Sequence, residues 1–412
     1  MKSDLDRLMQ EKNIDAIVVT GPAQHNPAMY YMTGGGHLTS ADCIKARGND
    51  AVLFYNPMER DEAAATGLRT KNLNDYNRVQ LLKQAGGDVS GALALRYQQM
   101  LDEVGIAGGR IAIYGKMDIG AGYAVFAALQ KAMPDLEIVP ETERDSLMLQ
   151  AMATKDETEI AHIRQMGQIT TEVVGRVAEF LTLQKAKNNI LTQPNGQPWT
   201  IGDVKRRINL WLAELGAENP EGTIFAIGHD AGVPHSTGKA SDLLRLGQSI
   251  VFDIFPCQAG GGYYYDFTRT WCLGYAPDAV QALYDDVFAV YQQVMGELKV
   301  NTPFSHYQER TCELFEARKH PTICLNSNLQ EGYVHSLGHG LGLHVHERPW
   351  SGSTATKEDI FAPGVVVTIE PGLYYPEKGM GCRLEDTVWV PPDGEMEILA
   401  DFPLDLVIPI KG

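Results

Sequence analysis

The chain has no CxxC pair, no long apolar run and no basic stripe, and each absence removes a class of function. Its six cysteines (Cys43, Cys257, Cys272, Cys312, Cys324 and Cys382) are scattered, which argues for reduced thiols over a disulfide framework and for a cytoplasmic location. No stretch of about 18 apolar residues occurs, and the opening MKSDLDRLMQEKNIDAIVVTG carries charges where a signal peptide needs an apolar centre. Neither a membrane partner nor export is expected. The formal net charge is −17, and the cationic clusters are short, such as Lys205-Arg206-Arg207 inside a helical pattern. A phosphate backbone would meet net repulsion, so nucleic acid is not an expected partner. Internal repeats and low-complexity tracts are also missing.

What is present is a globular composition, 44% hydrophobic and 21% charged, over 412 residues. That length exceeds what one hydrophobic core supports, so two domains are expected. Residues 1–150 alternate strand-like runs at 15–20, 51–55 and 110–114 with helical patterns such as 123–133, the reading of an α/β domain. Near Met152 the pattern changes: Thr154 and Glu157 have capping-box spacing and open an amphipathic helix through Ile160, Ile163, Met166, Ile169 and Val173. A second domain, 151–412, is expected to start there. Helices at 201–215, 278–298 and 307–318, with strands at 249–255, 263–271, 365–370 and 382–390, do not alternate strictly and favour α+β.

Two of these strand pairs carry acids where apolar residues belong. Asp253 sits inside Ile250-Val-Phe-Asp253-Ile-Phe and Asp266 inside Tyr263-Tyr-Tyr-Asp266-Phe-Thr-Arg, with Gly260-Gly261-Gly262 turning between them. A hairpin symmetric about Ala259-Gly260 places Asp253 opposite Asp266, about 5 Å apart at Cβ. Downstream, Glu370 and Glu385 lie equally far from the centre of a turn at Glu377-Lys378. Opposed buried acids are unfavourable unless a cation lies between them. Between the two hairpins runs His335-Ser-Leu-Gly-His339-Gly-Leu-Gly-Leu-His344-Val-His346-Glu347, with four of the eleven histidines. Four carboxylates and an imidazole are enough donors for a pair of divalent ions, and hydrolysis is the chemistry they imply.

Asp253, Asp266, His339, Glu370 and Glu385, in that order and with neighbours close to D-x-T-R-T, E-P-G and R-x-E-D, resemble the pita-bread metallopeptidases, which include Xaa-Pro aminopeptidases, prolidases and methionine aminopeptidases. The first 150 residues resemble, more loosely, the creatinase-type N-terminal domain of the Xaa-Pro enzymes. The resemblance implies an α+β catalytic domain of pita-bread fold preceded by that smaller domain. It further implies two metal ions, with Asp266 and Glu385 touching both, Asp253 on one, and His339 and Glu370 on the other. Manganese suits the oxygen-rich set, with cobalt or zinc as substitutes. By the same resemblance Glu370 takes a proton from water, His235 and His346 contact substrate, His335 lines the leaving-group side, and Arg383 stands two residues before the last ligand. His344 is read as structural or solvent-facing. A small peptide is the implied substrate and a homodimer the implied assembly.

The departures matter too. Phe255 stands where a glycine is usual, Ser336 replaces another glycine, and no arginine stands shortly before Glu370, the nearest cation being Lys357. Prolidases use such an arginine for the dipeptide carboxylate, so its lack favours an Xaa-Pro aminopeptidase over an Xaa-Pro dipeptidase. Two further readings stand beside these: a non-peptide hydrolase or lyase on the same scaffold, and a binding protein that has kept the fold, which the intact ligand set disfavours.

Overall fold

The structure, a computed structural model, describes residues 2–142 and 145–410. It divides into two compact units, one of Met1–Met152 with the turn Gly260–Gly262, the other of Ala153–Ala259 and Tyr263–Gly412.

The first unit is built on six strands: β1 (Ala16–Gly21), β2 (Ala41–Ala46), β3 (Val52–Tyr55), β4 (Arg69–Asn72), β5 (Gly109–Gly115) and β6 (Leu136–Ile138). Their order is β4-β3-β2-β1-β5-β6, parallel at β1–β5, β3–β4 and β5–β6 and antiparallel at β1–β2 and β2–β3. Strand β2 is hard to see in the sequence because Asp42 and Lys45 interrupt it. Both are buried and paired: Asp42 accepts from Tyr97 at 2.6 Å, and Lys45 reaches Asp6 at 2.8 Å. Helices α1 (Val89–Glu103) and α2 (Ile119–Ala132) supply Tyr97, Met100, Leu101, Val125 and Leu129 to the unit's core.

The second unit opens with α3 (Glu157–Thr182), whose cap differs from the expected one. Asp156 caps it, accepting from the Thr158 and Glu159 amides, while the Glu159 carboxylate takes the Asp156 amide. The box therefore sits two residues later than Thr154 and Glu157, because an aspartate at 156 offers the charged acceptor and starts the helix there. Helix α4 (Ile201–Glu214) follows, and α5 (Asp278–Glu297) and α6 (Phe304–Ala317) bury Val287, Val290, Val294, Phe304 and Phe315 among Val367, Ile369, Leu373 and Val388. Each such side chain contributes about 1.5–3 kcal/mol when fully buried.

One sheet of this unit runs β7 (Thr223–Ile227), β8 (Ser249–Ile254), β9 (Phe267–Leu273) and the short segment Val407–Ile408. A second holds β10 (His339–Gly340), β11 (Glu347–Trp350) and β12 (Val366–Ile369), and a separate ribbon pairs β13 (Gly372–Tyr375) with β14 (Met380–Arg383). Strand β15 (Asp386–Trp389) returns to the second sheet, whose order is β11-β10-β12-β15-Glu397–Ile398.

The expectation of six reduced thiols fails for one pair: Cys312 and Cys324 form a disulfide, and the other four cysteines are free and buried. Cys312 lies on α6 and Cys324 in the loop after it, 12 residues on, so the chain doubles back on its own helix. That fold-back, and not any cysteine spacing, brings the sulfurs together.

Candidate metal centre

Asp253 is the fifth residue of β8, and Asp266 immediately precedes β9. They do not oppose each other directly, as the symmetric hairpin would require. The ladder pairs Asp253 with Thr268 and Ile254 with Phe267, two positions away from the expected register. The turn fixes this: Gly260 and Gly261 have φ of +89° and +82°, so the reversal centres between the two residues that take positive φ without a Cβ penalty. Since side chains alternate along a strand, Asp266 still shares the face of Thr268 and hence of Asp253. The pair is diagonal on one face.

The second pair is in the expected register. β12 pairs Ile369 with Asp386, the ribbon pairs Gly372 with Arg383, and Leu384 donates to the Pro371 carbonyl at 3.3 Å. One register passes through both ladders, leaving Glu370 across from Glu385. The two hairpins are stitched together by Thr268, whose hydroxyl donates to Glu385 Oε2 at 2.7 Å and whose carbonyl takes the Glu385 amide at 3.1 Å.

His339 enters from β10. Gly338 before it packs so tightly that a Cβ would lie 1.9 Å from the Thr368 carbonyl oxygen, so only glycine lets the chain approach β12 here. The imidazole Nδ1 is 3.0 Å from the Gly340 carbonyl. A carbonyl only accepts, so Nδ1 carries the proton and Nε2 keeps its lone pair, the arrangement of a metal-ligating histidine. Nε2 lies 3.6 Å from Asp266 Oδ2 and 3.6 Å from Glu370 Oε1. Donor atoms of Asp266, His339 and Glu385 all fall within 4.8 Å of one another.

The electrostatics are those of a site that needs cations. Burial, then the neighbouring carboxylates, raises Asp266 and Glu370 well above the ordinary carboxylate range, and burial with Asp253 raises Glu385 to about 8. Burial pushes His339 down to about 3. Among the described residues, Arg383 is the one lysine or arginine whose side chain lines the cavity. Asp253 Oδ1 and Glu385 Oε1 are buried without a hydrogen-bond partner among the described residues. Orphaned carboxylate oxygens beside a lone-pair imidazole fit a pair of divalent cations, since a metal supplies what each of these donors lacks.

These groups lie along a cavity of about 360 Å³ whose walls include His235, Phe255, His335, Ser336, Val345, His346 and Arg383. The ring of His346 packs 4.3 Å from that of His339, centroid to centroid. Arg383 faces inward but is engaged: it binds Asp253, and it donates to Tyr374 Oη at 2.7 Å, the Pro234 carbonyl at 3.2 Å and Thr268 Oγ1 at 3.2 Å. His335 donates from Nδ1 to the Ser336 carbonyl at 2.7 Å, and its Nε2 meets Tyr374 Oη at 2.8 Å. With both nitrogens occupied and burial holding it near 3, His335 stays neutral and offers shape rather than a proton. His344 is not among the lining residues. Sequence reasoning missed Tyr374, Thr268 and Glu221, all of which touch the site or line it. Only Thr268 had a signal, its place two residues after Asp266.

A buried ion pair braces this loop from behind. Lys155, at the start of the unit, binds Glu347, the residue after His346, and both side chains are almost fully inaccessible. Lys155→Met removes one partner and strands the other charge, so unfolding free energy is expected to drop by about 3–5 kcal/mol in chemical denaturation. A loss under 1 kcal/mol would show that the pair is not buried in solution.

Compared with known proteins, residues 161–392 match metallopeptidase family M24 and residues 2–145 match the creatinase/prolidase N-terminal domain. The chain is 24% identical over 403 residues to the Xaa-Pro dipeptidase of Pyrococcus furiosus, covering 96% of this chain and 97% of that protein. It is 27% identical over 407 residues to the uncharacterized peptidase YqhT of Bacillus subtilis, covering 98% of each. Its structure superposes with a TM-score of 0.73 on a dipeptidase from Pyrococcus horikoshii OT3, at 21% identity and with 98% and 99% of the two chains covered. With the X-Pro aminopeptidase of Thermotoga maritima MSB8 the TM-score is 0.70, at 21% identity and 99% coverage of both. The two-domain architecture expected from the sequence is therefore the observed one.

Proposed function

Because the chain belongs to metallopeptidase family M24, we propose that it hydrolyses the peptide bond on the N-terminal side of proline, acting as an Xaa-Pro aminopeptidase. Asp253, Asp266, His339, Glu370 and Glu385 hold two divalent cations in this reading. The observation that carries it is the orphaned pair Asp253 Oδ1 and Glu385 Oε1, buried beside acids that repel one another. Two such cations, when bound, acidify a water and polarise the scissile carbonyl. The oxygen-rich donor set supports manganese as the metal, with cobalt or zinc as substitutes.

The protein's own groups do the rest. Glu370 is half-buried and faces the cavity, where its carboxylate takes the proton of the attacking water and returns it to the departing nitrogen. His346, braced on His339, and His235 on the cavity wall orient the substrate carbonyl. Arg383 is a positioning residue that fixes Asp253 and, through Tyr374, His335. His335 and Ser336 then shape the space for the proline ring.

Peptide length is supported in two directions. Among the described residues the one lining guanidinium is committed to Asp253 and Tyr374 and no lysine lines the cavity, which leaves no free lysine or arginine there for the carboxylate of a dipeptide and favours peptides extending beyond proline. The name of the Pyrococcus furiosus relative favours the dipeptide. Cleavage of Leu-Pro and Leu-Pro-Yaa with manganese decides: a tripeptide at least about tenfold better in kcat/KM is expected, and a preference for Leu-Pro overturns the aminopeptidase reading. A homodimer in the cytoplasm completes the proposal. The four free cysteines support that location, and the Cys312–Cys324 bond counts against it. Among the described residues no helix is long and apolar enough to cross a membrane.

A further inference from the structure

The cavity contains a fifth acid that metal binding does not use. Glu221, in the turn before β7, lines it together with Ile224, Val345 and His346. Its side chain is exposed and has no hydrogen bond or ion pair among the described residues. It shares that stretch of wall with His346, whose ring packs 4.3 Å from that of His339, centroid to centroid. The other charges along the walls are accounted for. Four carboxylates and His339 belong to the proposed metal set, Arg383 is spent on Asp253, and both ring nitrogens of His335 are engaged, by the Ser336 carbonyl and Tyr374 Oη. Outside the metal set Glu221 is therefore the one carboxylate lining the cavity among the described residues, and no cation is paired with it.

We infer that Glu221 is a specificity-determining residue that selects peptides by the charge of the residue preceding the scissile bond, favouring lysine or arginine there and disfavouring aspartate or glutamate. This rests on the peptidase reading above, in which His335 and Ser336 wall the leaving-group side and the Glu221 wall is left for the N-terminal residue. A lysine or arginine side chain is long enough to cross a cavity of this size and meet the carboxylate, its methylenes lying along Ile224 and Val345. The pair is only partly shielded from water, so its effect is moderate and salt-dependent.

The test compares kcat/KM of the manganese-loaded full chain on Lys-Pro-Yaa, norleucyl-Pro-Yaa and Glu-Pro-Yaa peptides. Lysine is expected to exceed norleucine, its uncharged counterpart in length, by about fivefold to tenfold, and the ratio should shrink as salt rises from about 0.05 M to about 0.5 M. Glu221→Gln should bring the ratio to about one, and Glu221→Lys should turn the preference toward the glutamyl peptide. A wild-type ratio near one, or a ratio that survives Glu221→Gln, overturns the inference while norleucyl-peptide cleavage leaves the peptidase reading standing. If no peptide is cut, that reading falls, and calorimetric binding of the lysyl and norleucyl peptides to wild type and Glu221→Gln decides the matter. Tighter lysyl binding lost in the variant supports the role of Glu221, and equal binding refutes it.

Discussion

Glu370→Gln is expected to cut kcat/KM for an Xaa-Pro-Yaa peptide by about 10³-fold or more, with the fold intact. Loss of a positioned general base alone accounts for about 10²–10⁴-fold. Glutamine keeps the volume of the side chain but cannot accept the water's proton, and it removes one negative charge from the donor set facing His339 Nε2 at 3.6 Å. Because burial, and after it the charge of Glu385, disfavours an ionised Glu370, the same substitution relieves strain in the metal-free protein. Melting of the metal-free variant at or above that of the metal-free wild type, together with the loss of turnover, is the expected combination. A variant that retains more than about a tenth of wild-type kcat/KM would remove Glu370 from the proton transfer.

The second large effect concerns stability without metal. Chelation leaves four carboxylates around one guanidinium, and the melting temperature is expected to fall by about 5 °C or more, since each ion bound at a hundred times its Kd stabilises by about 2.7 kcal/mol. The pH dependence has a definite sign. Glu385 is raised from 4.5 to about 8 by burial and by Asp253, so between those values the folded metal-free protein holds a proton that the unfolded chain releases. Its contribution is fully present below 4.5 and is lost as pH rises through about 8. Metal-free protein should thus weaken from mildly acidic to mildly alkaline pH. Metal-loaded protein should do the opposite at the acid end, where protonation of the ligands expels the ions. Melting curves of both forms across this range check the prediction, and parallel profiles would contradict it.

The candidate donors stand out in the sequence because carboxylates inside apolar strands have no cheap structural explanation. Glu370 and Glu385 were placed correctly to the register, since the 377–378 turn lies where symmetry puts it. The first hairpin pairs two positions away from symmetry about Ala259-Gly260, because that symmetry ignores which residues accept positive φ, and these are Gly260 and Gly261. Other features leave no trace at the level of pattern. The Cys312–Cys324 bond depends on a loop folding back on its helix. Tyr374 reads as one more aromatic in a strand, yet it joins Arg383 to His335. Glu221, in Asn219-Pro-Glu221-Gly, reads as a surface turn, and only the return of that turn to the cavity gives its charge a meaning.

The most direct measurement is hydrolysis of Leu-Pro-Yaa by protein stripped with a chelator and then titrated with manganese. Stripped protein should be inactive, and activity should rise to a plateau near two equivalents per chain. Full activity in the presence of chelator, or no cleavage with manganese, cobalt or zinc, would contradict a two-metal peptidase.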